Sequence, residues 1–286
     1  MTASVQHLID DSLELASLPA VVMQAVEHLN DPEASAAGIS QVISQDPALS
    51  TKLLKIVNSA FYGFPSRIDT ISRAITVVGT LELTGLILGA TAIQTFAKLP
   101  NQLIDMDRFW AHSLYTGIVS RLLARQLRAP NLERCFITGL LHDIGALIMY
   151  RYQPEQARQA LELARQDGLA LQNAEQRVFG FDHAEVGAEL MAAWHLPDTF
   201  IETIRYHHAP AEAVNCRLET ATVHLADVIA GIARHTGSGT EQAAALKTSA
   251  WDLTGLSVDI IASLIADADA QFDSARSVIL PRGQAA

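Results

Sequence analysis

Apolar residues recur every three to four positions along most of this chain, which is the period of one buried face of an α-helix. No segment of useful length alternates apolar and polar residues, the pattern that indicates a half-buried strand. The fold class is therefore predicted to be all-α. In the first 99 residues the period predicts a bundle of five or six helices, at about residues 4–16, 19–30, 35–44, 46–63, 70–78 and 81–96.

The ends of these helices carry residues with strong positional preferences. Ser35 and Asp46 are good N-caps, because their side-chain oxygens can accept backbone N–H groups of the first turn. Pro47 suits the first turn of the helix after Asp46, and Gly63 is placed to end that helix. The next helix is capped by either Asp69 or Thr70.

Asn58 and Ser59 are polar residues near the end of the apolar helix that follows Asp46. One interpretation is that they form local hydrogen bonds, which shape the exit into the turn at 62–65. The other is that they belong to a surface for a partner. The sequence leaves both open.

A second group of helices follows Leu99-Pro100-Asn101, where a proline and a change in the apolar pattern predict a domain boundary. Residues 1–99 would form the N-terminal bundle and residues 100–286 a second helical domain. Asp107 and Asp182 are predicted N-caps in this second part. Its predicted helices cover about residues 108–128, 132–150, 154–168, 171–178, 183–194, 198–208, 217–233 and 251–279.

Composition narrows the class of protein. The chain has 286 residues, 49% of them hydrophobic and 18% charged, with a formal net charge of -11. This acidic balance argues against nucleic-acid binding and against binding to anionic membranes. An anionic substrate would need a local positive centre, which a metal ion could provide.

Nothing in the sequence indicates export or a membrane span. The first 18 residues are acidic rather than basic, and their apolar run is too short for a signal peptide. The longest apolar stretch, 81–96, is interrupted by polar residues and is predicted to be a buried helix. Cys135 and Cys216 form no motif, which suggests a reducing compartment. The prediction is a cytoplasmic protein.

His142 and Asp143 are two ionisable residues within an apolar helical run, 139–145. Burying them is costly without a partner, and a metal ion or a dense hydrogen-bond network would supply one. Together with His112 and Asp227 they form a chemically sensible ligand set for Fe, Mn or Zn. Asp227 is surrounded by apolar neighbours, so its alternative interpretation is a buried hydrogen bond between helices.

Further histidines could complete a second metal position, so that one or two ions are expected. These are His183 and the His207-His208 pair. One member of the pair is expected to face the site while the other supports it, since adjacent helical residues diverge by about 100°. His224 is either a ligand-supporting residue or a hydrogen-bonded core histidine. The two cysteines are predicted not to be ligands. The remaining histidines are predicted to lie at the surface, and they are His7, His28, His195 and His235.

The N-terminal part resembles the HDOD family, a group of bacterial signalling modules related to the HD metal phosphohydrolases. The similar segments are SLPA at 17–20, ISQDPAL at 43–49 with KLL at 52–54, NSAFYG at 58–63, and the residues Thr70-Ile71, Ala74-Ile75 and Val78-Gly79. Three later segments continue the resemblance, which covers most of residues 15–235: HAEVG at 183–187, WHLP at 194–197 and His207-His208.

The resemblance implies site residues as well as a fold. The HD superfamily has a first His, an adjacent His-Asp pair and a later Asp, which would correspond to His112, His142, Asp143 and Asp227. The additional histidines are similar to those of HD-GYP relatives, which cleave cyclic dinucleotides. Many HDOD members have lost some of these positions, whereas this sequence retains them.

Three departures from the HD-GYP pattern favour a retained site without that activity. The active relatives carry a phosphate-binding Lys after His-Asp-Ile-Gly, where this chain has Ala146. Their Gly-Tyr-Pro loop is absent, because His208 is followed by Ala209-Pro210. Some members also use a Glu four residues before the first His, and here that residue is Arg108.

Two functions from different classes therefore compete. The first is a signalling output module that binds a partner protein, with a metal in a structural or sensing role. The second is a metal-dependent phosphohydrolase, in which Arg108 or Arg205 replaces the missing Lys; a third interpretation is a nucleotide that is bound but not cleaved. The sequence contains no receiver, kinase or GGDEF-like segment, so we expect it to act on a separate protein.

Overall fold

Helices make up every regular element that the computed structural model describes, and no strand occurs among those residues. The all-α prediction is confirmed. The structure describes the following parts of the 286-residue chain: 5–16, 18–30, 35–96, 103–234 and 248–280.

The N-terminal helices begin where the sequence places capping residues. Ser35 accepts the Gly38 N–H, Asp46 accepts two first-turn N–H groups, and Thr70 accepts the Arg73 N–H. Thr70 rather than Asp69 is thus the cap of its helix. The helices are α1 (Val5–Ala16), α2 (Ala20–Asn30), α3 (Ala36–Ser44), α4 (Pro47–Val57), α5 (Ile71–Val78) and α6 (Thr80–Phe96).

Helix α4 ends at Val57, six residues before the predicted end at Gly63. The cause is Asn58, whose side-chain amide donates to the backbone oxygens of Leu54 and Ile68 and accepts the Ile68 N–H. These bonds connect the end of α4 to the segment before α5 and take the place of the hydrogen bonds of a further helical turn. The local interpretation of Asn58 is therefore correct.

The second half also differs from prediction at some ends. Helix α7 is capped by Asp105 rather than Asp107, and the predicted helix 251–279 is divided near Gly255, which has a φ of +64°. The helices are α7 (Met106–Gln126), α8 (Leu132–Leu141), α9 (Ile144–Tyr152), α10 (Pro154–Asp167), α11 (Leu171–Phe179), α12 (His183–Ala193), α13 (Asp198–Arg205), α14 (Arg217–Arg234), α15 (Thr248–Thr254) and α16 (Ile261–Ile279).

The single helix predicted over 132–150 is wrong at the position that matters most. The chain forms two helices, α8 and α9, and the break between them consists of His142 and Asp143. Asp143 has a φ of -94° and a ψ of 5°, outside the helical region. The apolar residues on both sides of the break are buried, and their spacing is the same before and after it. The sequence pattern therefore does not indicate the break.

Helix α7 lies at the centre of the second half and packs against α8, α14 and α16. Its crossing with α8 is close: a Cβ added at Gly117 would lie 2.8 Å from the Phe136 carbonyl oxygen, and one at Gly139 would lie 3.0 Å from the Gly117 Cα. Only glycine allows this approach. It brings His112 on α7 near His142 at the end of α8.

The two halves share one connected apolar core, in which α6 packs on α8 and α1 packs on α9 and α12. The predicted boundary at 99–101 lies outside the described residues, so the division at residue 99 stays a prediction. Within the described residues no single helix is long and apolar enough to cross a membrane. One pair, Ile71–Val78 with Glu82–Phe96, meets the length and composition criteria only jointly, and it is bent by 113°.

Candidate metal centre

All seven side chains predicted as ligands lie in one cluster, although they come from five different parts of the chain. His112 projects from the first third of α7, and Asp227 from the middle of α14. The cluster is completed by the α8–α9 break, the start of α12 and the turn after α13, which contribute His142, Asp143, His183, His207 and His208.

Asp143 lies between two groups of ligands. Its Oδ2 is 3.1 Å from the His142 Nε2 and 3.9 Å from the His112 Nε2. Its Oδ1 is 3.2 Å from the His183 Nε2 and 3.8 Å from the His207 Nε2. One carboxylate therefore faces two potential metal positions, one through each oxygen.

The carboxylate-rich side, defined by His112, His142 and Asp227, has a second acidic ligand. The Asp227 Oδ1 lies 3.0 Å from the His112 Nε2 and 3.5 Å from the His142 Nε2. The first of these contacts is a hydrogen bond that joins α7 to α14, as the alternative interpretation of Asp227 expected. The same oxygen is also close enough to both imidazoles to share a metal ion with them.

The imidazole-rich side consists of His183, His207 and His208. The His208 Nε2 lies 2.8 Å from the His183 Nε2, and the ring centroids of His207 and His208 are 3.8 Å apart. Both members of the pair thus face the cluster, contrary to the expectation that one would only support the other. The reason is that α13 ends at Arg205, so the pair lies in a turn and not on a helix face.

Backbone carbonyl groups pair with the Nδ1 atoms of His142 and His207, on the side of each ring away from the other ligands. The Nδ1 of His142 pairs with the Gly139 carbonyl at 2.8 Å, and that of His207 with the Ile204 carbonyl at 2.6 Å. The His224 Nδ1 in turn pairs with the His207 carbonyl at 2.8 Å. Such bonds orient metal-binding histidines and leave Nε2 for the ion. His224 is a buried, hydrogen-bonded core residue that supports this turn.

Glu175 is the supporting residue that the sequence interpretation missed. It is fully buried, and its Oε2 lies 2.5 Å from the His183 Nδ1 and 3.0 Å from the His183 backbone nitrogen. A signal existed, because Glu175 falls on the apolar stripe of α11 with Leu171, Ala174 and Val178. An acidic residue on such a stripe requires a partner.

Gly145, which follows the His-Asp pair, allows α9 to start against α12. A Cβ at this position would lie 2.1 Å from the His183 carbonyl oxygen and 2.5 Å from the Gly187 nitrogen. Any other residue would push the two helices apart. The glycine therefore sets the distance between Asp143 and His183.

The protonation states in the metal-free cluster differ among the imidazoles. Burial opposes the His142 cation, but Asp143 and Asp227 outweigh it and raise the His142 pKa to about 10. Glu175 and Asp143 likewise raise the pKa of His183 against its burial. Burial and the neighbouring imidazoles lower the pKa of His207 to about 4 and also lower that of His208.

Both carboxylates of the cluster are held ionised. Burial alone would raise the pKa of Asp143, but His142 and His183 keep it well below its usual value. The pKa of Asp227 is lowered in the same way by His112 and His142. In the absence of metal the two carboxylates are thus paired with protonated imidazoles, and a metal ion that binds here would displace those protons.

The residues fit a divalent metal ion on two observations. The Nε2 atoms of His142 and His207 are buried and form no hydrogen bond of normal geometry within the described residues, although the Asp143 oxygens lie 3.1 and 3.8 Å from them. The ligand atoms of Asp143 with His112 and His142, and those of Asp143 with the imidazole-rich side, lie within 4.8 Å of one another. Imidazole and carboxylate donors in such groups suit Fe, Mn or Zn.

The other residues considered from the sequence lie away from this cluster. His7 and His195 are exposed, His28 is partly buried, and His235 lies outside the described residues. The buried thiols of Cys135 and Cys216 each have a pKa raised to about 12 by burial.

Arg205 and Arg108, the two residues considered as replacements for the missing phosphate-binding Lys, lie in different surroundings. Ala146 is buried, and the guanidinium of Arg205 pairs with Glu189 at 2.6 Å. Arg108 lines a cavity beside His112.

Comparison with known proteins gives one family and several relatives. The model of the HDOD domain matches residues 15–210. A protein of Treponema pallidum (strain Nichols) described as uncharacterized is 30% identical over 209 residues, which are 73% of this chain. The matched region spans only 40% of that relative's length.

Solved structures share the fold at 20–24% identity. An HDOD domain protein of unknown function from Geobacter sulfurreducens has a TM-score of 0.74 at 24% identity, covering 96% of this chain and 100% of its own. A Shewanella amazonensis SB2B protein named as a candidate phosphohydrolase has a TM-score of 0.72 at 24% identity, covering 95% and 97%. A Marinobacter aquaeolei VT8 protein named as a candidate signal-transduction protein has a TM-score of 0.69 at 20% identity. The match covers 95% of this chain and 60% of that protein's chain.

Proposed function

Because the chain belongs to the HDOD domain family, we propose that it is a bacterial signalling output module that acts by binding a partner protein. In this proposal the His/Asp cluster holds one or two divalent metal ions, and its loading state is passed to the N-terminal helices. The observation that carries the proposal is a polar contact between the N-terminal half and the two helices that position His112 and His142.

That contact is formed by Tyr62, Arg121 and Glu133. The Tyr62 hydroxyl donates to the Glu133 Oε2 at 2.7 Å, and the Arg121 Nε donates to the Glu133 Oε1 at 2.6 Å. The Arg121 guanidinium also lies 4.9 Å from the centroid of the Phe61 ring. Glu133 is buried, so its two bonds are largely shielded from water.

The positions of these three residues explain why the contact could transmit a change. Arg121 lies on α7, which carries His112, and Glu133 lies on α8, which ends at His142. Tyr62 belongs to the turn after α4, in the NSAFYG segment of the N-terminal half. A shift of α7 relative to α8 on metal binding would alter both bonds to Glu133 and so reach this turn.

Hydrogen exchange tests this coupling. Metal loading is expected to slow amide exchange in α7–α9, α12 and α14 and also in residues 56–71. In Tyr62→Phe the first effect should persist and the second should shrink, because only the bond to Glu133 is lost. Arg158→Gln, which breaks an exposed ion pair with Glu155 on α10, is the control and should leave both effects intact. Equal protection of residues 56–71 with and without metal would refute the coupling.

Hydrolysis of a phosphodiester is the second candidate function, and one observation favours it. Asp143 and Asp227 are 23% and 21% exposed, so the cluster is accessible from solvent on the carboxylate-rich side. A metal held there would polarise a phosphoryl oxygen and lower the pKa of a bound water. Against this function stands Ala146, which offers no charge for a substrate phosphate.

A hydrolysis screen separates the two functions. Purified protein loaded with Mn or Fe is tested on bis(p-nitrophenyl) phosphate and on cyclic dinucleotides, with Asp143→Ala as the inactive reference. The output-module proposal expects bound metal without turnover. Turnover that disappears in Asp143→Ala would replace it by the phosphohydrolase.

A further inference from the structure

Three arginines from three helices meet in one cavity beside the metal centre. The cavity has a volume of about 230 Å³ and is lined by Arg108, Arg234 and Arg276, together with Asp107, Ala111 and His112. His112 belongs to the carboxylate-rich side of the cluster. The cavity therefore leads from the surface to a predicted metal ligand.

The charge of this cavity is opposite to that of the chain. The protein carries 31 acidic against 20 basic side chains, yet here three cations face one carboxylate, that of Asp107. All three arginines are exposed, so water screens part of their mutual repulsion, and an anion bound between them would remove the rest. A cavity of this composition is suited to an anionic ligand.

Packing fixes the orientation of Arg234. Its guanidinium lies 4.4 Å from the Phe272 ring centroid and 5.6 Å from that of Tyr115. The Tyr115 ring is itself held by a hydrogen bond from its hydroxyl to Asp269 at 2.9 Å. A guanidinium whose face lies on aromatic rings keeps its N–H groups at the edge, where they can donate to a phosphate in pairs.

Helix-end preferences do not account for all three arginines. Arg276 lies in the last turn of α16, where the helix dipole favours a cation. Arg108 lies in the first turn of α7, where the dipole disfavours one.

We propose that this cavity is an anion subsite that binds a phosphate group and holds it next to His112. Its volume is below the roughly 300–1,000 Å³ that enclose whole small molecules, so it takes the phosphate and leaves the rest of a phosphate ester outside. The inference goes beyond the output role and needs neither turnover nor a partner. Arg234 and Arg276 lie after residue 210, outside the segment that the family model matches.

Calorimetric titration of the metal-free protein with inorganic phosphate tests the subsite. The variants are Arg276→Gln, Arg234→Gln and their combination. We expect the double variant to bind at least about tenfold more weakly, since two charge-assisted donors are lost. The matched control is Arg125→Gln, on α7 about 25 Å along the axis from Arg108, which should leave the affinity unchanged.

Parallel titrations identify the ligand class. Adenosine monophosphate should bind at least as well as inorganic phosphate, and acetate at the same ionic strength much more weakly. Arg276→Gln alone gives the answer if loss of the Arg234 contacts with the Phe272 and Tyr115 rings impairs folding.

Two outcomes would overturn the proposal: unchanged phosphate affinity in these variants, or equal binding of acetate. The metal content of each variant as purified, measured before the metal is removed, should match that of the wild type. This keeps a failure of the subsite separate from a failure of the metal centre.

Discussion

The two sides of Asp143 give the same carboxylate two different environments. On the carboxylate-rich side it faces Asp227 and two imidazoles, and the arginine cavity opens beside them. On the imidazole-rich side it faces three imidazoles, and among the described residues the further carboxylate is that of Glu175, which contacts the Nδ1 of His183 on the side of the ring away from Asp143. An ion on the first side would meet two carboxylates directly, whereas one on the second would depend on an indirect negative charge.

The same contrast appears in the protonation of the imidazoles. His142, between two carboxylates, has a pKa of about 10, whereas His207, buried among other imidazoles, has a pKa of about 4. Surrounding charge, not residue type, decides which histidine must lose a proton to bind metal. The two sides should therefore respond differently to mutation and to pH.

Removing Asp143 should have the largest effect, because this residue serves both sides. Loss of one supporting residue typically weakens metal binding about ten- to hundredfold, so loss of the shared ligand should exceed about hundredfold on each side. Mass-spectrometric metal analysis of dialysed Asp143→Ala, with circular dichroism to check folding, measures this. Asp143→Asn covers the case in which the alanine variant does not fold.

His195→Asn is the control for this prediction. His195 is exposed and has a φ of +56°, a conformation that asparagine tolerates. Its metal content should equal that of the wild type. Retention of half the metal in Asp143→Ala would mean that one side binds an ion without the shared carboxylate.

The second-largest effect is expected in the pH dependence of the stability of the metal-free protein, because the pKa values of His142 and His207 are shifted in opposite directions. The His142 pKa lies above the unfolded value of 6.5, so its stabilisation is complete below pH 6.5 and is lost as the pH rises to about 10. The His207 pKa lies below 6.5, so its stabilisation is complete above pH 6.5 and is lost as the pH falls to about 4. The free energy of unfolding should therefore peak near pH 6.5.

Urea denaturation of chelator-treated protein across the pH range measures this profile. The shift of His207 corresponds to about 3 kcal/mol on the acid side. His207→Gln should make that limb less steep, since the lowered pKa of His208 still contributes to it, and should leave the alkaline limb in place. An acid limb that is as steep in His207→Gln as in the wild type would contradict the assignment.

Glu175→Gln should have the smallest and most local effect. It removes the charge behind His183, so metal affinity on the imidazole-rich side should fall about ten- to hundredfold while the other side is unchanged. A titration with Mn that is monitored by calorimetry resolves the two metal positions. Glu185→Gln on α12 is the matched control, since Glu185 accepts a hydrogen bond from Gln176 at the surface. An equal loss on both sides would show that the two sides are not independent.

Several features were accessible from the sequence because they depend on local chemistry. The caps Ser35, Asp46 and Asp182 accept N–H groups of their own first turns, so neighbouring residues suffice to identify them. The apolar period predicts the helices in the same way. The ionisable residues within apolar runs, such as Asp227, mark buried polar sites wherever the chain later places them.

Other features depend on contacts between distant segments, and here prediction failed or stayed open. The break at His142-Asp143 has no signal in the apolar pattern, because the residues before and after Asp143, 135–142 and 144–150, are all buried. Whether His207, His208 or both face the cluster depends on where α13 ends. The arginine cavity joins Arg108 on α7 to Arg234 on α14 and Arg276 on α16, which follow it by more than a hundred positions.

The sequence by itself determined the all-α class, most helix starts and the set of seven candidate ligands, since each is set by residue type and near-neighbour spacing. Only the tertiary structure decided that Asp143 turns one oxygen to each of two ligand groups, that Glu175 supports His183, and that three arginines meet beside His112. The physical reason is close helix packing: glycines such as Gly117, Gly139 and Gly145 set distances of a few ångströms between segments, and that packing has no signature in local sequence.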